Sequence, residues 1–199
     1  METTQFSDDF IINQFEREIV NSRNRFDNTG FLESGKKAEK EFFSNFPEHI
    51  LATTKQNKIE HWDGWTERWK NVDVKGLGKI SRKDGKTNEN IHFFELRNII
   101  GKEGWGCSKF TNHIAFQTNL YFYMVELLKL QKFMEKKLGY SLEELLVIDV
   151  NKLNLVKTSK ESLYKLYMRD GQDDLISMMR TSDLILMSED KINRIIDEK

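Results

Sequence analysis

Residues 58–65, KIEHWDGW, and 68–78, RWKNVDVKGLG, decide how this chain is read. Both are short and rich in Trp, Val and Ile, with a polar break at Thr66-Glu67-Arg68, so together they predict an antiparallel hairpin. A turn around residues 67–69 sets Asp63 nearly opposite Asp73. Side chains alternate along a strand, so Asp73 and Lys75 share one face while Val74 enters the core. Two carboxylates and one ammonium then converge on a rigid sheet. Like charges held close are costly unless a cation lies between them, and a hard divalent ion with oxygen ligands and retained waters removes that cost. Mg²⁺ (or Mn²⁺) is therefore the expected cofactor. Gly76, directly after Lys75, leaves room for a nucleic-acid backbone to come close.

Outward from the hairpin, KGLGKISRKDGK (residues 75–86) carries five basic residues against Asp84. Lys79, Arg82 and Lys83 are the expected phosphate contacts, and the run equally suits a solvated loop turning at Asp84-Gly85. IHFFELRNII (91–100), NHIAFQTN (112–119) and YFYMVE (121–126) predict further strands. LLKLQKFMEKKLG (127–139) predicts an amphipathic helix closed by Gly139. Upstream, helices are expected over residues 7–29 and from Gly35 to Phe46, where Pro47 ends the second. Downstream, LYKLYM (163–168) and DLILM (183–187) are expected as strands, and SEDKINRII as a helix starting at Ser188.

The whole chain, 199 residues with 38% hydrophobic and 32% charged content, fits one mixed domain. The fold class expected is α+β, a mostly antiparallel mixed central sheet flanked by helices. Its parts are an N-terminal helix (1–32), a core (33–135) and a mixed C-terminal extension (136–199). A single cysteine, Cys107, excludes a disulfide framework and a multi-cysteine zinc site, and suits a reducing compartment. No apolar run approaches a membrane span and no secretory leader is visible, so an intracellular, soluble protein is expected. A net charge of −1 gives no global argument for nucleic acid, so local clusters must carry it.

Asp63, nine intervening residues, then Asp73-Val74-Lys75 resembles the PD-(D/E)xK phosphodiesterase superfamily, which includes restriction endonucleases, junction resolvases and phage nucleases. Gly35-Lys36-Lys37-Ala38-Glu39 is similar to the helix that precedes the hairpin in that family. FFELRN, GWG and NHIAFQTN resemble later strands of phage-type members. The resemblance covers roughly residues 33–135. It implies a restriction-endonuclease-like core and a Mg²⁺-dependent nuclease acting on DNA in the cytoplasm of a bacterial or phage-infected cell, compatible with a homodimer. By the same resemblance Asp63, Asp73 and Glu39 bind metal, Lys75 assists the attacking water, and Glu95 is an auxiliary acid. No Pro precedes Asp63, which departs from the pattern. A second register takes Asp73 as the first acid and Glu95-Leu96-Arg97 as the later motif, with Arg97 replacing the lysine. The rival reading on the same fold is a non-catalytic nucleic-acid-binding or assembly protein.

Other residues read more plainly. The plainer reading of Asp63, Asp73 and Lys75 is a cross-strand surface salt bridge, common and worth little. It ranks behind the metal site because three acids and one Lys align with one architecture. His49, His61, His92 and His113 show no paired metal spacing, and His113 reads as a structural, hydrogen-bonded residue. Trp62, Trp65, Trp69 and Trp105 read as packing before base stacking. Gly101, Gly104 and Gly106 lack the Lys-Ser/Thr of a phosphate loop.

Overall fold

The computed structural model describes residues 30–79 and 87–195. The helix expected over 7–29, the Asp84-Gly85 turn, Arg82, Lys83 and the side chain of Lys79 lie outside what is described. Helix α1 (Gly30–Phe43) leads into β1 (Ile50–Leu51), a π-helical turn (Gln56–Glu60), β2 (Gly64–Thr66) and β3 (Lys70–Lys75). Two short strands, β4 (Gly78–Lys79) and β5 (Thr87–Asn88), form a ribbon before β6 (Ile91–Arg97), β7 (His113–Gln117) and β8 (Tyr121–Glu126). Helices α2 (Leu127–Leu138) and α3 (Leu142–Val147), strand β9 (Leu175–Arg180), helix α4 (Thr181–Met187) and strand β10 (Asp190–Asn193) complete the order.

The class is α+β. Among the described residues a six-stranded sheet runs β1-β2-β3-β7-β8-β10, antiparallel except for the central β3–β7 pair, and β6 pairs with β9 apart from it. Strand alternation divides the core in two. Val72, Val74, Ala115, Phe122 and Met124 pack against Ala38, Phe42 and Phe43 of α1. Ile114, Phe116 and Val125 meet Phe94, Leu96, Leu175 and Met179 of the β6–β9 pair and Leu130 and Met134 of α2. Asp73 and Lys75 pair in register with Ile114 and Phe116, which places them on the second face, toward β6 and Trp105.

The expected hairpin forms, with Gly64 paired to Val72 and a turn at residues 67–69, but its first strand is short. Residues 58–60 lie in the π-helical turn instead, and His61 turns the chain in a left-handed conformation (φ 60°). Gly64 is required: a Cβ there would sit 2.5 Å from the Phe43 ring. Helix α2 ends on Gly139 at φ 77°, as its sequence signals.

Three C-terminal expectations are corrected. DLILM is helical, within α4, because Thr181, Leu184 and Met187 are buried at three-residue spacing, a helix period. The segment after Ser188 is strand, not helix: residues 190–193 alternate half-buried and exposed, and pair antiparallel with β8 to finish the sheet. LYKLYM makes only isolated bridges, such as Leu163 to Met178. The partner strand of β6 is LISMMR, whose first five residues are all buried, so it carries no alternation to read. No helix among the described residues is long and apolar enough to cross a membrane.

Candidate active site

Where β2 ends, β3 runs on without a neighbour on that side, and the chain fills the gap with a side chain. The Asp63 N–H donates to Val72 O at 2.8 Å, and Asp63 Oδ2 accepts from Val74 N at 2.7 Å. Its other oxygen, Oδ1, accepts from Asn57 Nδ2 at 2.5 Å. Asp63 thus replaces a strand partner and is delivered to the side of Asp73.

Beside it lies a cleft of about 360 Å³ lined by Glu39 of α1, Asn57 and His61 of the π-helical segment, Asp63, Asp73 and Lys75. His92 and Trp105 close it from the β6 side. Asp73 is buried (4% exposed), and Lys75 Nζ stands 2.7 Å from its Oδ2. The ammonium also lies 4.7 Å from the centre of the Trp105 ring, a cation–π seat. Among the described residues the Lys75 ammonium is the one partner of this buried Asp73 oxygen.

Electrostatics at the site are unbalanced toward negative charge. Burial, then the charge of Asp73, pushes the Asp63 carboxyl well above the ordinary aspartate range. Burial and then Asp73 also raise Glu39. Lys75 responds the other way: burial opposes its charge, but Asp73 and Asp63 outweigh that and hold the ammonium above the usual lysine value. It is therefore a fixed cation and hydrogen-bond donor rather than a base. Glu95 is raised by burial, partly offset by Lys75 and Arg169, so it senses the site from β6 without lining the cleft.

The geometry thus brings Glu39, Asp63, Asp73 and Lys75 to one cleft, with Glu95 behind Lys75. It does not bring Arg97 there. Arg97 Nε and Nη2 donate to Leu145 O at 2.8 Å and Ile148 O at 2.6 Å, closing the end of α3. The second register therefore loses its cation to a structural task. Sequence reasoning did not single out Asn57, and it set His61 and His92 aside for want of metal-ligand spacing. His61 Nε2 meets Glu103 O at 3.1 Å, and burial, then Lys75, lowers its pKa. Its place two residues before Asp63 was the signal available. His92 is 2% exposed and depressed by burial to about 4, and nothing in its sequence context marked it.

The remaining candidates settle as structure. Trp62, Trp69 and Trp105 are buried, and His113 Nδ1 is 2.9 Å from Trp69 O. Cys107 is buried, with burial pushing its thiol up to about 12, unfit for a nucleophile at neutral pH.

Among the described residues no three His, Cys, Asp or Glu side chains stand close enough together to form a ligand set as placed. Mg²⁺ asks for less: one or two carboxylates, with waters filling its octahedron. Buried Asp73, with Asp63 and Glu39 each raised by burial and then by its charge, fits such an ion chemically. The chain matches no family model, no curated protein and no solved structure.

Proposed function

We propose that this protein is a metal-dependent nuclease that hydrolyses phosphodiester bonds of DNA, with Asp63 and Asp73 holding Mg²⁺ or Mn²⁺ among its waters, Glu39 completing the site across the cleft, and Lys75 acting on the reacting phosphate. The observation that carries the reading is the cleft in which a buried Asp73 paired with Lys75 faces two further carboxylates, each raised by burial and then by its charge. A structural ion pair has no use for two extra acids. A site that receives a divalent cation does.

When bound, the ion would polarise the phosphodiester and acidify a coordinated water. The chain supplies the rest. Asp63 is oriented by Val74 N and Asn57 Nδ2, so its carboxylate is fixed before any ligand arrives. Lys75, permanently charged and seated over Trp105, donates to a phosphate oxygen as negative charge builds there. Glu95 keeps Lys75 company from behind, which limits the cost of holding that ammonium away from water.

The test is cleavage of plasmid and linear DNA with Mg²⁺ or Mn²⁺, alongside calorimetric titration of the metal into wild type and Asp73→Asn. Metal-dependent cutting lost in the variant, with metal affinity lost in parallel, supports the reading. A second reading keeps the fold and drops the chemistry. It draws on the two aspartates' existing partners, Lys75 for Asp73 and Asn57 with Val74 for Asp63. DNA binding with neither metal uptake nor cleavage would select it.

A further inference from the structure

Helix α2 buries Leu127, Leu130 and Met134 and turns Lys129, Lys132 and Lys136 onto the opposite, exposed face, with Lys137 beside them. Between residues 109 and 138 five lysines stand against two acids, Glu126 and Glu135, in a chain whose net charge is −1. Glu135 is already occupied, accepting from Leu142 N at 2.9 Å. Among the described residues none of the four helix ammonium groups meets a carboxylate. Lys129 Nζ donates to Met187 O at 2.9 Å, and Lys137 Nζ lies over the Phe133 and Tyr164 rings at 5.2 and 4.9 Å. Lys132 and Lys136 point to solvent.

Helix physics does not call for this arrangement. Lys136 and Lys137 suit the negative end of the helix dipole, but Lys129 and Lys132 occupy the first half, where acids are favoured. Lys129–Lys132 and Lys132–Lys136 are like-charge neighbours at three and four residues, which weakens an isolated helix, and only Glu126 before Lys129 and Glu135 after Lys132 stand at a spacing that could offset them. From Lys129 to Lys136 the stripe runs about 10 Å along the axis, long enough to meet several phosphates of one polyanionic chain rather than a single small anion. The helix is also fastened to the wall of the cleft. Gln131 Nε2 donates to Gly106 O at 3.1 Å and Ser108 O at 3.2 Å, next to Trp105, on which Lys75 rests.

We infer that the exposed lysine face of α2 is a phosphate track that grips a nucleic-acid strand beyond the cleft. This rests on the nuclease reading only for its account of what the cleft does; the track itself is a binding surface. The experiment is fluorescence anisotropy of a short labelled DNA, single- and double-stranded, in Ca²⁺ and over a range of salt. Wild type is compared with Lys132→Gln/Lys136→Gln and with the control Lys160→Gln, an exposed lysine on another element. The double variant is expected to bind about tenfold more weakly at low salt, with the slope of log K against log salt smaller by roughly 1.5–2. The control should match wild type. Equal affinity and slope for wild type and the double variant overturn the track, even if wild type cleaves DNA. Loss in control and double variant alike also overturns it, since that is bulk charge rather than a face. Weakened binding in the double variant, with no cleavage by wild type, leaves the track standing and removes the nuclease reading. Absence of DNA binding by wild type removes both.

Discussion

Two recessed acid–base pairs in this molecule look alike and are built to different ends. Asp174 is fully buried, takes Arg169 N on Oδ1 at 3.1 Å and Arg169 Nε on Oδ2, and so has both oxygens served. Asp73 is nearly as buried, yet its one ion-pair partner, Lys75, is shared with two more carboxylates that crowd it across a cleft. The first pair is closed and neutral. The second is left open, with surplus negative charge that the chain itself does not cancel. A closed pair serves the fold. A surplus kept in a cleft is where function is sought.

The largest expected effect separates the pairs outright. Asp73→Ala should reduce metal-dependent cleavage below detection. Its melting temperature should fall too, because Lys75 loses its 2.7 Å partner. That fall should be smaller than in Asp174→Ala, since Asp63 and Glu95 still face the ammonium and the crowding of Asp63 and Glu39 is relieved. Asp174→Ala should strand the Arg169 guanidinium and cost about 3 kcal/mol or more, a fall on the order of 6–12 °C in a chain this size. Thermal melts and a plasmid-cutting assay on both variants give four numbers. If Asp73→Ala melts early and Asp174→Ala does not, the comparison is the wrong way round.

Next comes the lysine. Lys75→Ala should slow single-turnover cleavage by about 10²–10³, the usual cost of one transition-state donor, with DNA affinity in Ca²⁺ much less affected. Arg97→Ala should leave turnover alone and cost about 1–3 kcal/mol in stability, because the carbonyls of Leu145 and Ile148 lose their donors. Swapped outcomes would restore the Glu95–Arg97 register.

A pH effect tests whether the β6 wall of the cleft is as dry as it is drawn. His92 takes up a proton at about 4 when folded against 6.5 when free. Above pH 6.5 neither state is protonated and the contribution is constant. Between 6.5 and 4 the unfolded chain binds a proton that the buried imidazole refuses, so stability falls as pH falls, by about 3 kcal/mol in total from this one group. Below 4 the term is flat. His92→Phe should remove that limb from a urea-denaturation series, and an unchanged pH profile would mean that water reaches the ring.

How much of this was legible in sequence differs by region. The hairpin, the alternation at Asp73-Val74-Lys75 and the capped helix α2 were readable because each has a local cause: a turn, a period, a glycine. Asp63 was read as a strand residue, yet it sits one position outside β2, where its carboxylate substitutes for the missing ladder. That depends on Phe43 crossing Gly64, a contact between residues 21 positions apart. The C-terminal third failed for a related reason. LISMMR is buried on both faces, and DLILM is too short for its helical period to stand out from a strand. His92 and Trp105 reach the cleft only through the β6 packing, which no spacing along the chain encodes.

The smallest effect asks whether the negative surplus is real, and it needs no DNA. Asp63 has its carboxyl raised well above the ordinary value by burial and by Asp73, so at neutral pH its ionised form is a cost to the native state. Asp63→Asn removes the charge and keeps the shape. Its amide oxygen can still accept from Val74 N, while the Asn57 amide turns to offer its own oxygen. Without metal the variant should be more stable than wild type by about 1 kcal/mol, or some 2–4 °C. A group with a raised folded pKa costs most above that value, so the advantage should shrink as pH falls and the wild-type carboxyl takes its proton. Adding Mg²⁺ should raise the wild-type melting temperature and close the gap, because binding to the native state alone is stabilising, and should do little for the variant. Should Asp63→Asn instead melt below wild type at every pH, with Mg²⁺ moving neither, then the carboxylates around Asp73 are already satisfied. The open pair would then be another closed one, like Arg169 and Asp174.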